Sequence, residues 1–118
     1  MKLNIGSMVY DLCTANEIPM PDEDGNALLC GCFLPFEEKI YVKKDLPPQV
    51  LKQTVIHEIT HAFLDEIGCE KLTCDEGFVD ALAKQIYSFF ERNDLQKIYS
   101  YIGAKSDKTD TKKTAKKS

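Results

Sequence analysis

The chain has 118 residues, 43% of them hydrophobic, and a formal charge of −4 at pH 7. That length suits one domain with a modest core, and no apolar run approaches the roughly 18 residues needed to cross a bilayer. Residues 104–118 hold six lysines against two aspartates, a local +4 that leaves −8 on the rest, so the folded body is a poor match for a phosphate backbone.

Residues 3–14 carry β-favouring side chains with some alternation and read as a strand, with a short helix over 8–15 equally compatible. Two prolines, three acids and a glycine over 19–26 read as a loop. Residues 28–34 are apolar with Cys30 and Cys32 at alternate positions, and 39–43 form a second short strand. Pro35-Phe36-Glu37-Glu38 supplies the hairpin turn between them.

Pro47 and Pro48 then open a helix, because a first turn has no use for the donor that proline lacks. This helix is predicted to run from 48 to 67, with Gly68 as its stop and Leu51, Val55, Ile59, Ala62 and Phe63 as its buried stripe. A second helix is predicted over 74–91, with Phe78, Leu82, Ile86 and Phe89 or Phe90 facing the core. Asn93 or Asp94 caps a third through 102, closed by Gly103. The domain is thus predicted over 1–103. The lysine-rich tail, 104–118, is too polar to offset its ordering entropy and is predicted disordered, with electrostatic contact to nucleic acid or an acidic partner as its one binding capability.

Both histidines of the chain lie in one pentapeptide, His57-Glu58-Ile59-Thr60-His61. Residues four apart project from one face of a helix, so two imidazoles can point at one metal ion. Glu58, one step from His57, stands where it can take a proton from water at the metal. This is the H-E-x-x-H arrangement of zinc peptidases. The bland alternative is an amphipathic helix whose histidines face solvent or core.

A catalytic Zn2+ usually takes three protein ligands. With no third histidine, the last must be a carboxylate or a cysteine. Glu76, fifteen residues after His61, is the best placed, and Asp80 follows on the same helix face, where it can accept the other ring proton of a ligating histidine. Against this, Thr73-x-x-Glu76 is also a capping-box signature, and Asp80 also reads as a solvated helix carboxylate. Asp65 and Glu70 are weaker ligand alternatives.

His57-Glu58-x-x-His61 followed by Glu76-x-x-x-Asp80 resembles the gluzincin pattern, H-E-x-x-H then E-x-x-x-D. The small size resembles the minimal gluzincins, particularly the ImmA/IrrE-like metallopeptidases of phages and mobile elements. The resemblance covers roughly residues 40–90. It implies an α+β, zincin-like fold: a small antiparallel sheet or hairpin packed on the H-E-x-x-H helix and a following glutamate helix. It also implies a zinc hydrolase with His57, His61 and Glu76 on the metal, Asp80 behind them and Glu58 as general base. The implied substrate is a peptide or protein, with a helix-turn-helix repressor as one implied target. Two departures stand out. The His61–Glu76 interval is short for the family, so the connection must turn tightly. No histidine remains to stabilise the oxyanion, leaving Tyr41, Tyr87 or Tyr99.

Cys30-x-Cys32 and Cys69-x4-Cys74 offer a rival four-cysteine zinc site, although their spacing is not that of a common finger or ribbon. The total of five cysteines is odd, and residues 1–10 lack a signal peptide's apolar core. The expectation is therefore reduced thiols in a cytoplasmic protein. Two other functions remain open: a zincin-like metal-binding module that acts by protein contact without cleavage, and a nucleic-acid accessory protein acting through the tail.

Overall fold

A computed structural model describes residues 1–18 and 30–104. The predicted loop over 19–26, the first two residues of the predicted 28–34 strand and the tail beyond 104 lie outside them.

The chain opens with a hairpin. β1 (Lys2–Ile5) and β2 (Met8–Ala15) pair antiparallel, with Ile5 opposite Met8. Only Gly6 and Ser7 link them, and Gly6 takes φ +60° while Ser7 keeps negative φ, which is a type II′ turn. The twist of that turn matches the strands, so residues 8–15 form a strand and not a helix.

β3 (Gly31–Leu34) and β4 (Lys39–Lys43) follow, joined by a 3-10 turn (Pro35–Glu37) and Glu38 in left-handed conformation. β3 runs antiparallel to β4, but β4 runs parallel to β2, giving the sheet order β1-β2-β4-β3. The sheet is therefore mixed and not antiparallel throughout. With β3 at the edge, the third strand brings the chain back so that β4 can enter beside β2 in the same direction. Leu12, Ile40 and Phe33 fall in one row across three strands. With Ile5 and Tyr10 they form a face that packs on Ile59 and Ala62 of the first helix.

That helix, α1 (Pro48–Glu66), starts at the predicted proline. It ends in a Schellman motif: Gly68, at φ +80°, donates to Asp65 O (3.1 Å), and Cys69 donates to Leu64 O (2.9 Å). α1 is buried on two sides. Ala62 meets the sheet, while Thr60, His61 and Leu64 are buried on the other side. Phe63, predicted in the stripe, points between these sides and stays 45% exposed. The Thr60 hydroxyl is satisfied by Ile56 O at 2.7 Å, which lets a polar side chain sit fully buried in the helix.

A single extra turn, α2 (Glu70–Thr73), precedes α3 (Glu76–Arg92). The aromatic stripe predicted for α3 is not its buried face. Val79 and Ala83 are buried, whereas Phe78 is 38% exposed and Phe89 and Phe90 are also exposed. Glu76, Val79, Asp80 and Ala83 share one side of the helix. The carboxylates on that side contact α1, and this contact decides which side turns inward.

By its contacts the chain divides into two units, Met1–Tyr87 and Ser88–Ser118. In the second, Asp94 caps α4 (Leu95–Tyr101) by accepting from Gln96 N and Lys97 N, and Gly103 closes it at φ +83°. No helix among the described residues is long and apolar enough to cross a membrane.

Candidate metal centre

His57 and His61 leave the buried side of α1 as a pair, ring centroids 5.0 Å apart. Both rings turn their Nε2 toward one carboxylate. His57 Nε2 lies 3.1 Å from Glu76 Oε1, and His61 Nε2 lies 3.1 Å from Glu76 Oε2. Each of the three residues offers a ligand atom within 4.8 Å of the others, and no other such cluster occurs among the described residues. Ligands about 2.0–2.1 Å from a tetrahedral zinc stand about 3.3 Å from one another, so the two histidine–glutamate separations, which are also hydrogen-bond distances, are compatible with a shared ion.

The hydrogen bonding of His61 is compatible with a cation. Thr73 Oγ1 donates to His61 O at 3.2 Å and lies 3.1 Å from His61 Nδ1. A hydroxyl has one proton, so when Thr73 donates it to the His61 carbonyl the ring donates to the hydroxyl through Nδ1–H. Burial holds the His61 pKa down, against the opposing pull of Glu76, which favours the neutral ring. In the Nδ1–H tautomer Nε2 is bare and faces a carboxylate oxygen at 3.1 Å, an arrangement that a cation between them relieves; in the other tautomer Nε2–H donates to Glu76 directly. The donor set thus fits a divalent metal, and its N/N/O character suits zinc among others.

Asp80 lies behind His57, with Oδ1 3.6 Å from Nδ1, while its Oδ2 pairs with Lys84 Nζ at 2.9 Å. The lysine holds the Asp80 carboxyl below its ordinary range, with His57 adding to the effect.

Glu58 is 7% exposed. Its carboxyl is pushed up to about 8, first by burial and then by the charge of Glu76. The edge strand crosses beside it. A Cβ placed on Gly31 would stand 3.2 Å from Glu58 Cγ, 2.9 Å from Thr54 Cγ2 and 2.8 Å from Tyr41 O. Only glycine lets β3 pass this close to α1.

Glu76 does not close a capping box. Asp75 caps α3 instead, accepting from Phe78 N at 3.0 Å, and Thr73 is engaged by His61. The Glu76 carboxylate is thereby left for the histidines. Three of the features here went unread in the sequence: Asp75 as the cap, Thr73 on His61, and Gly31 beside Glu58. A lone glycine in an apolar strand is a sign of close backbone approach. Nothing in the sequence marks Thr73 as a partner of His61.

The rival readings have less support. No three cysteines converge among the described residues. Burial pushes the Cys32 thiol up to about 11, with Glu58 adding to it, which disfavours the thiolate a metal needs. Asp65 and Glu70 stand outside the cluster. Tyr41 alternates with buried Ile40 and Val42 and so projects from the sheet face opposite α1. Tyr99 belongs to the other unit. Tyr87 shares the α3 side of Glu76 and Asp80 by helical spacing. Comparison of the chain with protein-family models, curated proteins and solved structures gives no match.

Proposed function

We propose that this chain is a small zinc-dependent metallopeptidase of gluzincin type. The observation that carries the reading is the convergence of His57, His61 and Glu76 beside a nearly buried carboxyl, Glu58. The histidines and Glu76 hold the ion, and Asp80 orients the His57 ring. A zinc ion held there supplies Lewis acidity, which lowers the pKa of water at the site toward neutrality and polarises a scissile carbonyl.

The remaining chemistry belongs to the chain. A cation close to Glu58 favours its ionised form, opposing the burial that favours the neutral one. As a carboxylate, Glu58 takes a proton from the attacking water and delivers it to the departing amine. β3 is the edge of the described sheet and passes against Glu58, so an extended peptide can add to its free side with the backbone held across the site. The resemblance to ImmA/IrrE-like peptidases makes a helix-turn-helix repressor the first protein to offer as substrate.

The test is metal analysis with peptide cleavage on three proteins. The wild type is expected to carry one zinc per chain and cleave. Glu76→Ala is expected to lose zinc, while Glu58→Gln keeps it and loses turnover by about 10²–10⁴-fold. Zinc content unaffected by Glu76→Ala would remove Glu76 from the site. Zinc bound with no cleavage across a broad peptide library would favour a metal-binding module acting by contact.

A further inference from the structure

Thr73 lies twelve residues beyond His61 and yet touches it twice, through Nδ1 at 3.1 Å and through the main-chain oxygen at 3.2 Å. We propose that Thr73 is a positioning residue for the metal centre: its hydroxyl locks His61 in the tautomer and orientation that present Nε2 to a divalent cation. The inference rests on His57, His61 and Glu76 being a metal site.

The proton count carries the argument. The carbonyl of His61 can only accept, and the single hydroxyl proton of Thr73 is directed to it in the proposed arrangement. The hydroxyl oxygen keeps lone pairs, and one receives the proton of Nδ1. A neutral imidazole carries one ring proton, so fixing it on Nδ1 frees Nε2, the atom that lies 3.1 Å from Glu76. A ligating histidine commonly gives its other ring proton to a carboxylate or carbonyl; here a hydroxyl aligned by the histidine's own backbone takes that place. His57 has Asp80 in the corresponding position. The two ligating histidines thus have different partners, one acidic and one neutral.

The same contact shortens the path between ligands. α2 turns immediately after the α1 stop, with Thr73 N bonded to Cys69 O at 3.0 Å. Thr73 is therefore pinned to α1 three residues before Glu76. This explains how so short an interval returns the third ligand to the histidines.

The experiment uses the full chain as wild type, Thr73→Val and Thr73→Ser. Zinc affinity is read by competition with a chromophoric chelator, and the His61 tautomer by nitrogen NMR of the metal-free protein. Valine keeps the shape and removes the hydroxyl, and serine restores it. The wild type is expected to show Nδ1–H at His61. Thr73→Val is expected to lose that preference and bind zinc about 10–100-fold more weakly, and Thr73→Ser to recover both. Equal zinc affinity in the wild type and Thr73→Val overturns the role of Thr73 and leaves the metal site standing. A wild-type chain that takes up no zinc overturns the site itself. Should Thr73→Val fail to fold, Nε2–H in the metal-free wild type overturns the proposal and Nδ1–H there, with full zinc affinity in Thr73→Ser, supports it.

Discussion

Glu58 has a free-energy consequence that is measurable without any substrate. In the metal-free protein its carboxyl is pushed up to about 8, while an unfolded chain releases the proton near the ordinary glutamate value of about 4.3. Between those values the folded chain holds a proton that the unfolded chain has lost. This group therefore makes the protein less stable as pH rises through that window, by an amount on the order of a few kcal/mol. Urea unfolding of the metal-free protein between pH 5 and 8 is expected to show the midpoint falling, and Glu58→Gln to flatten the slope. A wild-type midpoint no steeper with pH than that of the variant would mean that Glu58 ionises freely in the fold.

At the level of elements, the site depends on where α3 begins. Asp75 satisfies a first-turn donor through Phe78 N, and the next residue is the proposed ligand. Asp75→Ala is expected to cost about 1 kcal/mol, read from denaturant unfolding with unchanged slope. A larger cost would point to a part for Asp75 beyond the cap. α1 shows the complementary lesson. Its start at Pro48 and stop before Gly68 follow from local chemistry, and both were legible in the sequence. Its buried residues were only partly so, because a helix covered on two sides has no single apolar stripe. Thus Leu64 and Thr60 are buried while Phe63 is exposed.

At the scale of the sheet and α1, two contacts flank the core that the two share. Glu66, the last residue of α1, accepts from Ser7 N at 2.9 Å and Ser7 Oγ at 2.8 Å, clasping the β1–β2 turn. At the opposite edge of the sheet, Gly31 lets β3 pass over Thr54 and Glu58. Gly31→Ala places a methyl against the Tyr41 carbonyl and Thr54, and neither backbone nor a β-branched side chain yields easily. We expect a loss of about 1–3 kcal/mol, with weakened peptide cleavage and retained zinc. A variant as stable and as active as the wild type would mean that β3 can shift outward freely.

The sequence by itself determined the strand at 39–43, the extent of α1, the cap and stop of α4, and the pairing of His57 with His61 on one helix face. Each depends on residues within a turn or two of one another, where proline, glycine, an aspartate cap and the helical repeat act directly. Only the tertiary structure decided that β4 runs parallel to β2, that α3 turns Val79 and Ala83 inward in place of its phenylalanines, and that Glu76 meets both histidines while Asp75 does the capping. Those outcomes are competitions between contacts distant along the chain. The aromatic side of α3 is the more apolar, but the side bearing Glu76 and Asp80 is the one that reaches the imidazoles, and no local pattern records which wins.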